Sequence, residues 1–198
     1  MIEFIDISDK KPFKDFCKKY NQARLKGQKP INALTISSFS KNRSEVSSRY
    51  VNLKYVINNK FIFFSNYNSP KASDFISHNQ IAATLFWPSI EIQIRMLAII
   101  EKTTVEFNNN YFKSRLPNKN ALAISSNQSK KIDSFNSVID KYEYTKKNTN
   151  LNECPNYWGG FAFSPYKIEF WHGDSSRLNR RELYTKIKDD WEFSILEP

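Results

Sequence analysis

Three arginines, Arg177, Arg180 and Arg181, fall within five positions shortly after Trp171. Guanidinium groups pair with phosphate through charge-assisted hydrogen bonds, and their planar fork can make two such bonds at once. The cluster therefore reads as a solvated basic turn, a nucleic-acid contact, or one wall of a pocket for a phosphorylated molecule. As an extended strand, Arg177, Asn179 and Arg181 share a face and Arg180 points the other way. As a helix, Arg177, Arg180 and Arg181 group together, as on many nucleic-acid faces. Periodicity alone leaves both open.

Other segments carry polar groups inside strand-like or helix-like patterns. In SRYVNLK, Arg49, Val51 and Leu53 share one strand face, and Tyr50, Asn52 and Lys54 share the other. A loop or bulge is needed to bring Arg49 and Lys54 to one ligand; two surface cations on an edge strand is the plainer reading. In YFKSR, Tyr111 and Arg115 stand four apart. On a helix they share a face, where they could converge on a phosphate or simply stack at the surface. Gln93 and the pair Gln128-Ser129 offer neutral donors and acceptors that suit the edge of a flavin or pyrimidine-like ring. A lone glutamine is usually just a surface residue.

Several chemistries lack their residues. No glycine-rich phosphate loop, HExxH or GxSxG motif occurs, and the chain has only four glycines. His78 and His172 lie in unrelated segments, and Cys17 and Cys154 are far apart without a CxxC pattern. Neither a metal site nor a disulfide framework is expected. The 198 residues are 40% hydrophobic and 15% aromatic, enough for a packed core, and the net charge of +10 favours anionic partners. The basic residues are dispersed, which argues against a nucleic-acid-binding module. The N-terminus is not a signal peptide and no window is long enough to span a bilayer, so a cytoplasmic protein with no membrane partner is expected.

These residues need elements to hold them. A helix is predicted over 12–27, with an apolar face of Phe13, Phe16, Cys17, Tyr20 and Ala23. Strands are predicted at 33–39, 49–57 and 61–65, the last two joined as a hairpin by Asn58-Asn59. Ser69-Pro70 opens a short helix to about His78. A second strand pair, 81–87 and 91–100, flanks Pro88-Ser89. Short helices follow, one ending before Pro117 and one over 133–147. Strands close the chain at 161–171, near 182–187, and at 190–196. Short linkers favour antiparallel pairing, giving a single α+β domain over 1–198 with an antiparallel sheet closed into a barrel and peripheral helices.

In order, the segments SRYVNLK, FIFFSNYNSPKASDF, EIQIR, YFKSRLP, SSNQS, YWGGFAFSPYKIEFWHG, SRLNRR and DWEFSILEP resemble the pyridoxamine 5′-phosphate oxidase family, from about Pro12 to Pro198. The resemblance implies a homodimeric FMN-binding split β-barrel, with the flavin at the interface. It implies oxidation of pyridoxamine or pyridoxine 5′-phosphate to pyridoxal 5′-phosphate, with O2 as acceptor. This is an oxidoreductase acting on a CH–NH2 group in vitamin B6 metabolism. The implied FMN contacts are Arg49, Val51, Asn52, Leu53 and Lys54; Phe64, Ser65 and Lys71; and Gln93, Gln128, Ser129, Trp171 and Arg181. Lys54, Tyr111, Arg115 and Lys119 would cradle the substrate phosphate. Arg177 and Asn179 would lie over the substrate ring at the reacting centre.

The chain departs from the family pattern at four places. Pro70 stands where an arginine usually precedes the lysine of SPK, which removes one FMN-phosphate contact. Lys119 replaces a serine of the phosphate cradle. Asn179 replaces a histidine in RLHDR; it can hydrogen-bond but cannot become cationic. The family's longer N-terminal segment, which folds over the site, is expected to be absent or replaced by MIEFIDISDK. These departures keep two alternatives in view: a relative that oxidises another cyclic substrate, such as a phenazine precursor, and a non-catalytic FMN- or PLP-binding protein.

Overall fold

The computed structural model describes residues 1–198. Its elements, in chain order, are β1 (Glu3–Ile5), α1 (Lys11–Leu25), β2 (Ala33–Ser40), β3 (Glu45–Asn52), β4 (Tyr55–Ile57), β5 (Lys60–Asn66), α2 (Pro70–Ser77), β6 (Gln80–Trp87), β7 (Ile92–Lys102), α3 (Val105–Ser114), α4 (Pro117–Ser125), α5 (Phe135–Asn148), β8 (Trp158–His172), β9 (Arg180–Ile187) and β10 (Asp190–Leu196). A single 3-10 turn at Pro88–Ile90 joins β6 to β7.

Eight of the ten strands of the one sheet follow the order β1-β4-β5-β8-β7-β6-β2-β3, and β9 pairs with β8 and with β10. All pairings are antiparallel except β1 with β4. The two sides of this path are joined covalently, because β3, at one end, runs on through Leu53 and Lys54 into β4, the neighbour of β1 at the other. The Leu53 N–H donates to Asn32 O beside β2, while the Lys54 N–H donates to Ile62 O on β5. Successive residues thus bond to opposite ends of the sheet, which closes the barrel. One edge of β8 is split: residues 158–163 pair with β5, and residues 167–172 pair with β9. The fold is an α+β antiparallel split barrel with peripheral helices.

The core follows from side-chain periodicity. Alternate residues of β2 and β7 turn inward, and Leu34, Ile36, Ile92, Ile94 and Met96 are buried. α1 lays Phe13, Phe16, Tyr20 and Ala23 against this interior. The Phe16 ring centroid stands 5.0 Å from that of Phe61 and 5.7 Å from that of Trp87. Complete burial of one such ring contributes roughly 1.5–3 kcal/mol.

The observed chain differs from the sequence expectation in three places. The expected strand over 49–57 is broken at Leu53-Lys54 by the change of partner. Pro117 starts a helix, α4, at its first turn, where the sequence pattern predicts no element. β1, a three-residue parallel strand, was also not anticipated; acids and lysines interrupt its apolar pattern.

Candidate functional site

The strand change at Leu53-Lys54 opens a cavity of about 560 Å³ beside β5. Lys54, Lys71, Arg115 and Lys119 line it, with Phe64, Ser65, Tyr111, Gln128 and Trp158, and Val51 and Asn52 at its edge. Glu3 is the only acid in the lining. None of the four cations forms an ion pair.

Lys71 sits in the first turn of α2, behind Ser69 and Pro70. It is only 8% exposed, and its ammonium donates to the Ser65 hydroxyl at 3.1 Å and the Ser69 hydroxyl at 3.2 Å. Ser65 in turn donates to Gln128 Oε1 at 3.2 Å. Burial, then the nearby Arg49 charge, pushes the Lys71 ammonium down to about 8. A buried lysine bonded only to neutral hydroxyls is short of an anion.

The second group stands on the turn between α3 and α4. Arg115 follows α3, and its Nη2 donates to Lys119 O at 3.1 Å. Its Nη1 is buried without a partner. Burial lowers the Arg115 pKa, and burial followed by the Lys119 and Arg115 charges lowers that of Lys54. Tyr111 is pushed up to about 12 by burial, so it remains a neutral donor. Its ring stacks on Phe64 at 3.7 Å between centroids. The Arg115 guanidinium lies 4.4 Å from the centre of the Trp158 ring. Gly159 and Gly160 let this wall form, since a Cβ on either would clash with Tyr67 and Asn108, or with Thr103.

Arg49 does not line the cavity. Its guanidinium donates to Ile36 O at 3.2 Å and Ser38 Oγ at 2.8 Å, and lies 3.9 Å from the buried Asp74. It still acts on the cavity through its charge on Lys71. Leu53 is fully buried in the core, and its N–H and C=O bond to Asn32, so its side chain is not a cavity contact. Ser129, at φ 70°, opens onto a separate cavity beside Lys130 and Lys131.

The remaining expected residues form a second group at the far end of β8. Gln93, Trp171 and Arg181 make one cross-strand row over β7, β8 and β9. Trp171 comes twelve residues after Gly159 on the same strand. Gln93 opens onto an outer groove with Thr35 and Thr84, which meets the cationic cavity at Tyr50. Arg181 donates to Glu169 at 2.8 Å and to Glu197 O at 2.9 Å.

The extended reading of Arg177, Asn179 and Arg181 is corrected. β9 starts only at Arg180, and residues 174–179 form a turn in which Arg177 has φ 64°. Asn179 Oδ1 accepts the Asp174 N–H at 3.1 Å. Period-two alternation requires a strand, and the Asp174 turn stands in its place. Arg177 and Arg180 are both exposed, and Arg180 pairs with Glu182.

Sequence reasoning missed Trp158 and Asp74 as individual contributors. Trp158 was visible only as part of YWGG. Asp74 gave no signal, because its partners Ser38, Arg43 and Arg49 are distant in sequence.

Residues 158–198 match the family described as the pyridoxine 5′-phosphate oxidase C-terminal dimerisation region. The chain is 35% identical over 181 residues to a pyridoxine/pyridoxamine 5′-phosphate oxidase of Leptospira biflexa, covering 90% of this chain and 85% of the relative. Its fold is similar to that of PhzG from Burkholderia lata, solved in complex with tetrahydrophenazine-1-carboxylic acid. That match has a TM-score of 0.89 at 20% identity and covers 98% of this chain and 95% of the other. It is also similar to a pyridoxamine 5′-phosphate oxidase-related, FMN binding protein from Nostoc punctiforme, with a TM-score of 0.79 at 12% identity over 96% and 99% of the two chains. With this identity carried over nearly its whole length, the chain belongs to the pyridoxine/pyridoxamine 5′-phosphate oxidase family of FMN-linked oxidoreductases.

Proposed function

We propose that the protein is an FMN-dependent oxidase that converts pyridoxamine or pyridoxine 5′-phosphate to pyridoxal 5′-phosphate, with O2 as final acceptor. The observation that carries this reading is a cavity with four unpaired cations and a single acid. Two of these cations show a specific deficit: buried Lys71 has only hydroxyl partners, and Arg115 has an orphaned Nη1. The donor set fits a flavin phosphate at Lys71, Ser65 and Gln128, with Arg49 adding charge from behind. It fits a substrate phosphate at Lys54, Tyr111, Arg115 and Lys119.

FMN, when bound, supplies the two-electron acceptor. The chain's own residues bind and orient. Charge-assisted bonds from Lys54, Arg115 and Lys119 fix the substrate by its phosphate, and neutral Tyr111 adds a donor. Fixing the phosphate constrains where the reacting carbon sits, which is the main contribution such a site can make.

A homodimer completes the reading. Trp171, Arg177, Asn179 and Arg181 line none of the cationic cavity, so a second copy would bring them to the ligand. The matched C-terminal dimerisation region supports this. So do Tyr50 and Phe86, apolar residues 78% and 53% exposed around the outer groove.

One observation favours a different cyclic substrate: Asn179 replaces the family histidine and its side-chain oxygen is engaged by its own loop. The four cations favour a phosphate ester. Steady-state turnover of pyridoxamine 5′-phosphate against pyridoxamine decides between them, and no turnover of the ester would sink the substrate assignment. The flavin part is tested by colour. A yellow protein that releases FMN on denaturation is expected; a colourless protein that ignores added FMN overturns it.

A further inference from the structure

One wall of the cationic cavity is built of aromatic rings. Phe64, Tyr111 and Trp158 form a slab of near-parallel rings: Phe64 and Trp158 are inclined by 11°, and Tyr111 and Trp158 by 4°. Trp158 is 7% exposed and stands first in β8, opposite Asn66 of β5. Its outer neighbour is Arg115, whose guanidinium is 4.4 Å from the Trp158 ring centre. Phe112 supports the indole edge-on at 5.0 Å, so the ring is held from α3 as well as from β5.

Arg115 needs such support. It has no carboxylate partner, its one side-chain hydrogen bond is to Lys119 O, and its Nη1 is buried and unbonded. It stands on a turn after α3, where a long side chain has many rotamers. An indole face attracts a guanidinium and restricts it to a parallel plane. Parallel stacking leaves the edge of the fork free, and the edge makes the hydrogen bonds.

We infer that Trp158 is the positioning residue for phosphate recognition: its ring, 4.4 Å from the Arg115 guanidinium, holds that cation in the phosphate cradle. This rests on the proposed phosphate-ester substrate and adds a specificity determinant to it. Trp158 touches the Arg115 cation and also lines the cavity, so an effect that passes through Arg115 is told from a ring contact by comparing the ester with the unphosphorylated ligand.

The test is equilibrium binding of pyridoxal 5′-phosphate and of pyridoxal to the FMN-loaded protein, with Trp158→Leu, Trp158→Phe and Arg115→Lys. Trp158→Leu should weaken pyridoxal 5′-phosphate roughly tenfold, the scale of a desolvated cation–π contact, and leave pyridoxal within about twofold. Trp158→Phe should recover most of the loss. In the Arg115→Lys background, where no planar fork remains, Trp158→Phe should have no further effect on the ester. Equal losses for both ligands, or a Trp158→Phe effect that persists in Arg115→Lys, overturns the inference. Should Trp158→Leu not fold, Trp158→Met, which keeps bulk without a ring, takes its place in the same comparison, with the same outcomes. If the unsubstituted protein binds the ester no better than pyridoxal, the phosphate reading itself fails, and this inference with it.

Discussion

The two ends of β8 hold similar residues in opposite states. At its start, Lys54, Lys71, Arg115 and Lys119 share one cavity with a single acid and make no ion pair. At its end, Arg95 and Arg181 share Glu169, and Arg180 pairs with Glu182. The chain's charge of +10 does not distinguish them. Pairing does. Cations with carboxylates have their charge met within the fold, even where one nitrogen, Arg95 Nε, is left unbonded; desolvated cations without carboxylates raise the energy of the ligand-free protein until an anion arrives. The unpaired end is the better marker of a phosphate site.

The sharpest way to break this contrast is to remove one cation from each end. Arg115→Leu should lower kcat/KM for pyridoxamine 5′-phosphate roughly hundredfold, the scale of a buried charge-assisted contact. Arg180→Ala should change it less than twofold, because that side chain faces solvent and Glu182. Comparable losses from the two would show that pairing does not separate functional from structural cations here.

Lys71→Met makes the same point through stability. Removing a buried charge that lacks an anion should raise the melting temperature of the ligand-free protein by a few degrees. The same change should weaken FMN binding roughly tenfold. Thermal melts with and without FMN read both signs. A variant that is less stable without ligand would mean that the Ser65 and Ser69 hydroxyls already satisfy the ammonium.

Titration sharpens it further. The Lys71 ammonium is held near 8 in the ligand-free protein, against 10.5 ordinarily. Between those values the unfolded chain binds more protons than the folded one, so ligand-free stability should rise with pH across that window. A bound phosphate raises the Lys71 value again, so FMN binding takes up a proton above pH 8. Affinity should therefore fall as pH rises through about 8, and Lys71→Met should flatten the profile. Measuring the FMN dissociation constant from pH 7.5 to about 9.5 checks this. A flat profile in the unsubstituted protein would contradict it.

What the sequence reveals, and what it hides, divides by range. The helix over α1 is legible because Phe13, Phe16, Tyr20 and Ala23 repeat at helical spacing beside Pro12. The β4–β5 hairpin is legible because Asn58 and Asn59 both adopt the positive φ that such turns require. The change of partner at Leu53-Lys54 is not legible. It depends on Asn32, 21 residues from Leu53, drawing the chain to β2 just before Lys54 turns to β5. The unpaired state of the cavity is hidden for the same reason, since its cations come from the β3–β4 junction, α2, the turn after α3, and α4. Motif resemblance implies ligand contacts at Lys54, Lys71, Arg115, Lys119 and Leu53; the first four line the cavity, and Leu53 is buried in the core. The resemblance carries no information on burial or on missing acids. The turn at 174–179 defeats periodicity, because Arg177 takes a left-handed conformation that alternation cannot anticipate.

That turn gives the smallest and most discriminating test. Asn179 Oδ1 accepts the Asp174 N–H, and Asp174 accepts the Ser176 N–H at 2.9 Å, so the loop is held by its own polar groups. A histidine at this position could donate from one ring nitrogen while the other bonds a ligand, and it could become cationic. If the paired end of β8 meets the cationic cavity of a second copy, Asn179→His adds a donor where the substrate ring would lie. Turnover of pyridoxamine 5′-phosphate should then rise a few-fold, because one added hydrogen bond contributes roughly 0.5–1.5 kcal/mol. The gain should appear in kcat/KM for both the ester and the free amine, since the ring and not the phosphate is contacted. A further loss of turnover would mean that the loop around Asp174 shapes the pocket for a different ring, and that asparagine belongs to that shape.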